Sequence, residues 1–176
     1  MKRIIITNGI VAGLIVSVIM LSTHPLIEKG IVNMDYGMLI GYTSMVISLS
    51  MVFFGIKTYR DQHCQGAITF WKAFQIGIFI TLIASLMYAI TWEIYYNIAA
   101  SDFMEKYTEH YISGLAEAGA SAAELEAARQ QMAESAEMYK NPFIRFGFTL
   151  MEILPVGLVI TLISAGLLRK KEILPA

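Results

Sequence analysis

The chain contains few of the residues that build most metal and redox sites. It has 176 residues, of which one is cysteine and three are histidine. A single cysteine excludes an internal disulfide and a thiolate metal cluster, and we interpret Cys64 as a lone thiol in a short loop. The histidines, His24, His63 and His110, are scattered along the sequence, which argues against a histidine metal site. We therefore expect no metal and no cofactor.

Charged residues are also scarce. They make up 15 % of the chain, whereas 56 % of the residues are hydrophobic. A soluble domain usually has about 25 % charged and about 45–50 % apolar residues, so the composition predicts a protein that lies in a lipid bilayer. No nucleophile with a neighbouring base is apparent in the sequence, and we expect neither an enzyme nor a nucleic-acid partner.

Four apolar stretches are long enough to cross a bilayer as helices, which takes about 20 residues. They cover approximately residues 4–21, 36–56, 73–96 and 143–168. The first stretch follows Lys2 and Arg3, as in a signal peptide, but it is too long for the apolar core of one and lacks a small-residue cleavage site. The sequence therefore predicts an all-α polytopic membrane protein with a bundle of four spans, all in one membrane domain over residues 1–176.

Basic residues are concentrated on one side of these four spans. They are Lys2, Arg3, Lys57, Arg60, Lys72, Arg169, Lys170 and Lys171. The segment between the third and fourth spans, residues 97–141, instead has eight acidic residues and three basic ones. Lysine and arginine are enriched in cytoplasmic loops, so we predict that both termini are cytoplasmic and that the acidic segment lies outside.

Residues 101–140 have the pattern of a helical hairpin. Gly119 is placed to end a first helix, and Ser121 and Glu124 have the spacing of a capping box that starts a second. The apolar stripes are Phe103, Tyr107, Tyr111 and Leu115 in the first helix, and Leu125, Ala128, Met132, Ala136 and Tyr139 in the second. Such a hairpin either packs on itself above spans three and four, or offers a docking surface to another protein or to a second copy.

Glycines recur at four-residue spacing in the first two spans. Gly9 and Gly13 form one pair, and Gly37 and Gly41 form another. Small residues at this spacing let membrane helices approach closely. We expect these positions to pack helices within one bundle, with a dedicated dimer face as the less common use of the pattern.

Three charged residues lie inside the predicted spans. They are Glu93, Arg145 and Glu152. A charge near the bilayer centre costs at least about 2.5–3.5 kcal/mol, so each needs a partner or a function. Glu93 and Arg145 lie at matching depths near the outer ends of two antiparallel spans, and we predict that they form an ion pair.

Glu152 lies deeper in the fourth span. Pro155, which removes a backbone N–H and frees a carbonyl, and Gly157 follow it. This combination is compatible with a proton or cation site. A neutral Glu152 bonded to a hydroxyl group of a neighbouring helix is equally compatible. The hydroxyl candidates are Ser44, Ser48, Thr81 and Ser85.

Several blocks of the sequence resemble a bacterial membrane family called domain of unknown function 4199. The blocks begin at Gly41, Phe54, Gly66, Ile90 and Glu152, and read GYTSM, FGIKxYRD, GxIxFxKAFxxG, ITWEIYY and EILPVG. The resemblance implies a small four-span protein of the bacterial inner membrane, with no assigned activity. Two of the blocks contain Glu93 and Glu152.

Three classes of function are compatible with these patterns. We favour a non-enzymatic accessory protein that binds a membrane-protein partner, or itself as a homo-oligomer, through the hairpin and the glycine-lined faces. The alternative is a small proton- or cation-coupled transporter that uses Glu152. The third class, an intramembrane enzyme, has no supporting group of residues.

Overall fold

The computed structural model describes residues 1–170, and this part of the chain is helical throughout. Its six α-helices are α1 (Lys2–Glu28), α2 (Gly37–His63), α3 (Phe70–Ala99), α4 (Phe103–Glu117), α5 (Ala122–Tyr139) and α6 (Pro142–Leu168). A 3-10 turn, Met34–Tyr36, precedes α2, and no β-strand occurs within residues 1–170. The predicted all-α class is confirmed. Lys171, one of the basic residues used for the orientation, lies outside the described residues.

Four of these helices, α1, α2, α3 and α6, are long and apolar enough to cross a membrane. They extend past the predicted apolar stretches. The first continues from residue 21 to Glu28 through Pro25, and the second continues from residue 56 to His63. Hydropathy marks only the part of a helix that suits lipid, whereas the backbone hydrogen bonds continue into polar sequence. Pro25 lies in the last turn, so the helix continues for only three residues beyond the backbone hydrogen bond that the proline lacks.

The chain divides into two compact units. Among the described residues, the first unit contains residues 1–89 and 150–170, and the second unit contains residues 90–149. In the first unit, α1, α2, α3 and α6 pack around a core that excludes solvent completely from its largest side chains. These are Leu49, Ile56, Ile76, Ile80 and Ile153.

Glycines bring the helices of the first unit together. A Cβ atom on Gly9 would lie 2.7 Å from the side chain of Ile83, and one on Gly13 would lie 2.7 Å from that of Met87. The first glycine pair of the sequence therefore packs α1 against α3 within the chain, since only a residue without a Cβ fits there.

The second glycine pair has a different environment. A Cβ atom on Gly37 would only touch Ile27, at an ordinary 3.4 Å, and one on Gly41 would meet no atom within 4 Å among the described residues. Gly41 thus lies at a surface of α2, and close helix packing within the chain does not use it.

The second unit contains α4 and α5, which pack on each other. The predicted capping box is present: the Ser121 hydroxyl accepts from the Glu124 N–H at 3.3 Å, and the Ser121 N–H donates to the Glu124 carboxylate at 2.8 Å. Gly119 has a φ of +87°, the left-handed conformation that lets the chain leave α4.

The predicted stripe of α5 is half-buried as expected, as are Phe103 and Leu115 of the α4 stripe, but the middle of the α4 stripe is shifted by one position. Ile112 is buried, whereas Tyr107 and Tyr111 are 37 % and 43 % exposed. Isoleucine is wholly apolar and gains more from burial against α5 than a tyrosine, whose hydroxyl group would need a partner there.

The loop between α2 and α3 is tightly wound. Gln65 and Gly66 both have positive φ, at +50° and +85°. Ile68 then forms an isolated antiparallel bridge with Lys170, in which the two residues exchange both backbone hydrogen bonds, at 3.1 and 3.0 Å. The bridge connects the loop to Lys170, which lies two positions after the end of α6.

Candidate functional site

The structure contains the ion pair between Glu93 and Arg145. The Arg145 Nε donates to one oxygen of the Glu93 carboxylate at 2.9 Å, and Nη2 donates to the other oxygen at 2.6 Å. The Glu93 side chain is 18 % exposed and the Arg145 side chain is 3 % exposed. Two parallel bonds between a planar guanidinium and a carboxylate are among the strongest hydrogen bonds in proteins.

Arg145 makes further contacts on its other sides. Its Nη1 donates to the backbone carbonyl of Tyr139 at 3.0 Å. Its guanidinium carbon lies 3.8 Å from the centre of the Tyr96 ring, which is the geometry of a cation–π contact. The charge of Arg145 is therefore balanced by one carboxylate, one carbonyl and one aromatic face.

Aromatic side chains surround this pair within the second unit. The Trp92 indole N–H donates to the Tyr139 hydroxyl at 2.8 Å, and its ring contacts Phe103 edge-on at 5.2 Å. The Tyr139 ring also contacts Tyr96 edge-on at 5.7 Å and stacks on Phe148 at 6.4 Å. We refer to these five aromatic residues, with Glu93 and Arg145, as the aromatic–arginine cluster.

The cluster includes two aromatic residues near the end of a predicted span. Trp92 and Tyr96 have the positions of interfacial anchors near the end of a span, but in the structure they pack inward around Arg145. Their spacing relative to Glu93 is a usable signal, because positions 92, 93 and 96 share one side of a helix. Phe103 and Tyr139 join from α4 and α5, which no local pattern indicates.

The arrangement connects four helices through side-chain contacts. Both Glu93 oxygens accept hydrogen bonds from Arg145, so the carboxylate holds the guanidinium in a fixed orientation. Among the described residues, no group of three or more histidine, cysteine, aspartate or glutamate side chains could hold a metal ion. The cluster fixes the ends of α3 and α6 to α4 and α5.

Glu152 has the opposite environment, because it lies on the exposed surface of α6. The preceding residue, Met151, is 71 % exposed, whereas Ile153 is fully buried in the core. Within residues 1–170 the Glu152 carboxylate has no hydrogen bond and no ion pair. Glu152 thus points away from the interior of the first unit.

The hydroxyl groups considered as partners of this carboxylate are buried in the interior instead. Ser44 and Ser48 donate to backbone carbonyls of their own helix, at 2.7 and 3.0 Å. Thr81 lies 3.2 Å from the hydroxyl group of Thr161. Ser85 is fully buried and its hydroxyl has no partner within the described residues. None of the four is bonded to the carboxylate.

Pro155 and Gly157 also have different surroundings. Pro155 is exposed on α6. A Cβ atom on Gly157 would lie 2.2 Å from the Thr81 side chain, so this glycine is the point where α6 packs against α3. Gly157 serves helix packing, and it does not share a site with Glu152.

A related protein of known function would indicate what the aromatic–arginine cluster and the exposed Glu152 do. Comparison with the curated proteins and with the solved structures found no match for the chain. The pattern of the family described as "protein of unknown function (DUF4199)" matches residues 7–170, which include both features. The chain belongs to this family.

Proposed function

We propose that the protein is a non-enzymatic accessory protein of the bacterial inner membrane, which binds another membrane protein through the outward face of α6. In this proposal both termini are cytoplasmic, and α4 and α5 form a hairpin on the extracytoplasmic side. The basic residues near residues 57–72 and 169–170, and the acidic composition of residues 101–140, support the orientation.

One observation supports this function more than any other: Glu152 is exposed on a predominantly apolar helix whose one other charged residue, Arg145, is already paired. A carboxylate that faces lipid in the middle of a span costs about 2.5–3.5 kcal/mol. The chain offers this side chain no compensation within the described residues. A basic side chain of a neighbouring membrane protein would remove the cost by pairing with the carboxylate, so Glu152 favours the bound state.

The surface around Glu152 has the character of a helix-packing face. Met151, Leu158 and Leu162 are 71 %, 41 % and 44 % exposed, and Gly166 is exposed without a neighbour in this chain. Together with the exposed Pro155, these positions recur every three to four residues along one side of α6. An apolar stripe with one acidic residue and one glycine allows close approach and gives the contact a fixed register.

The charge of the partner follows from what this chain lacks in its own spans. Within the four predicted apolar stretches, the sequence has a single basic residue, Arg145. Arg145 is already paired with Glu93. A second copy therefore has no basic side chain to place against Glu152, and the proposed partner is a different protein with a lysine, arginine or histidine in a span.

A photo-crosslinking amino acid at position 151 tests this proposal in the native membrane. We expect a crosslink to one partner protein that is lost or strongly reduced in Glu152→Gln. The matched control places the same amino acid at position 14, since Leu14 is 51 % exposed on α1. A crosslink at twice the mass of this chain would identify a homo-oligomer and contradict the charged partner. An adduct unchanged in Glu152→Gln would contradict the role of the carboxylate.

The hairpin offers a second, separable contact. Phe103 and Tyr139 belong to the aromatic–arginine cluster, so a deletion of the whole segment would disturb the fold. Replacing residues 108–134 with a short glycine–serine linker spares both side chains. If the hairpin contributes to docking, this variant should insert normally but yield less of the position-151 crosslink.

Transport is the weaker alternative. A proton or cation carrier needs its carboxylate beside a water-accessible path, whereas Glu152 lies on the outer surface of α6. Proton flux in proteoliposomes that is abolished by Glu152→Gln, with the fold preserved, would favour transport over the accessory function.

A further inference from the structure

A cavity of about 380 Å³ lies at the α2–α3 loop. Its walls are His63, Cys64, Gln65, Ala67, Ile68, Thr69 and Lys72. The volume falls in the range of about 300–1,000 Å³ that is usual for small-molecule sites. The backbone that forms it is held on both sides, by the hydrogen bonds that the N–H groups of Cys64 and Gly66 donate to the Arg60 carbonyl, both at 3.1 Å, and by the bridge from Ile68 to Lys170.

The side chains of the cavity are suited to an anion. Lys72 is half-buried in its wall and has no carboxylate partner among the described residues. Thr69 accepts a hydrogen bond from the Lys72 backbone N–H at 3.4 Å, which leaves its O–H as a donor. His63 and Gln65 add an imidazole and a primary amide, both of which can donate.

The net charge of the side chains around the cavity is positive, which also suits an anion. Asp61 is the one acidic residue between positions 57 and 72, and it is already bound by Arg60 at 2.7 Å. Lys57 lies in the same segment, and the bridge brings Lys170 next to Ile68 in the wall. The field at the cavity is therefore positive, and a bound anion would balance it.

The position in the chain sets the depth of the cavity. It lies between the end of one membrane-crossing helix, at His63, and the start of the next, at Phe70. Trp71 is 71 % exposed beside it, and tryptophan at the end of a span lies at the level of the lipid headgroups. The anion available at that depth is the phosphate of a phospholipid.

We propose that this cavity binds the phosphate of an anionic phospholipid headgroup, with Lys72 as the charged ligand and Thr69, His63 and Gln65 as hydrogen-bond donors. The site is independent of the proposed partner of Glu152, because the two lie on different parts of the chain. It is also independent of the orientation, because the headgroup level exists on both sides of a membrane.

Native mass spectrometry of the protein, released from mixed micelles of phosphatidylglycerol and phosphatidylcholine, tests the site. We expect phosphatidylglycerol to be retained in preference to phosphatidylcholine, and Lys72→Gln to lower this preference about fivefold, the effect of one cationic side chain near a lipid surface. The matched control, Lys29→Gln, removes a lysine that follows α1 and should leave the preference unchanged.

A second measurement uses Trp71 in liposomes and does not depend on release into the gas phase. In a Trp92→Phe background, Trp71 is the remaining tryptophan. Brominated phosphatidylglycerol should quench its fluorescence more than brominated phosphatidylcholine, and Lys72→Gln should abolish the difference.

Three results would overturn the proposal. The first is equal retention of the two lipids by the native protein, and the second is a preference that Lys72→Gln leaves intact. The third is displacement of the lipid by inorganic phosphate but not by chloride at equal ionic strength. That result would identify a soluble phosphate as the ligand.

Discussion

Arg145→Ala is the substitution that most directly tests the energetics of the aromatic–arginine cluster. It removes the two hydrogen bonds to Glu93, the bond to the Tyr139 carbonyl and the contact with the Tyr96 ring. It also leaves a carboxylate that is only 18 % exposed without its counter-charge.

The expected loss follows from the geometry. Breaking a buried ion pair by removing one partner costs about 3–5 kcal/mol, because the other charge stays buried. A cation–π contact adds about 0.5–2 kcal/mol. Arg145→Ala should therefore destabilise the protein by about 3–5 kcal/mol or more. Arg145→Lys should destabilise the protein less than Arg145→Ala does. Lysine keeps the charge, but it cannot form two parallel hydrogen bonds or stack on the ring as arginine does.

The charge-swapped double variant, Glu93→Arg with Arg145→Glu, separates the ion pair from its surroundings. It restores opposite charges but not the bond to Tyr139 or the contact with Tyr96, so we expect partial recovery. Arg129→Ala is the control: Arg129 is 60 % exposed and lies 4.0 Å from Glu126. Such a surface pair is worth about 0–1 kcal/mol.

The assay is the fraction of detergent-solubilised protein that stays monodisperse after heating, measured for each variant at a series of temperatures. Detergent denaturation by sodium dodecyl sulfate gives an independent ranking. If Arg145→Ala, the charge swap and Arg129→Ala all lose the folded state at the temperature of the unmodified protein, the pair contributes nothing and the reasoning fails.

Two further predictions concern glycine packing and a helix cap. Gly157→Ala should destabilise the protein by about 1–3 kcal/mol, because its Cβ would lie 2.2 Å from Thr81. Gly41→Ala should be neutral or slightly stabilising in the same heating assay. Equal losses of stability in the two variants would refute this difference. The hydrogen bonds from the backbone N–H and hydroxyl of Ser121 lower the pKa of Glu124. The stabilisation of α5 by the Glu124 carboxylate should therefore be complete above the unfolded-state pKa of about 4.3. This stabilisation should be lost as the pH falls through the lower folded-state pKa. Amide exchange over residues 122–126, corrected for intrinsic rates, should show this change, and Glu124→Gln should remove it.

Parts of the fold could be predicted because they depend on local physical rules. The four spans follow from the length of apolar sequence that a bilayer needs. The capping box at Ser121 follows from a spacing that satisfies two backbone N–H groups at once. The pairing of Glu93 with Arg145 follows from depth alone, since two opposite charges in lipid have no better partner than each other.

The direction in which Glu152 points could not be predicted, because the residues around it in α6 are almost all apolar. In a soluble protein, the polar side of a helix marks its exposed face. In a membrane both the interior and the lipid are apolar, so the pattern loses this information. The sequence places Glu152 at a depth, and packing decides which way it points.

The aromatic–arginine cluster was missed for a different reason. It brings together residues of four helices, and two of its members, Phe103 and Tyr139, are separated by the whole of α4 and α5. The cluster depends on how those two helices pack. Trp92 and Tyr96 have the same sequence context whether they anchor a helix in the interface or surround an arginine.

The bridge between Ile68 and Lys170 also bears on how the protein is made. A backbone bond that joins the loop after the second span to the residues after the fourth span cannot form while the chain is incomplete. The ribosome must finish α6 before Ile68 finds its partner, so the α2–α3 loop reaches its final form only after α6 has been made, although the loop is synthesised early. A chain shortened before residue 170 would retain all four spans and still lack this closing contact.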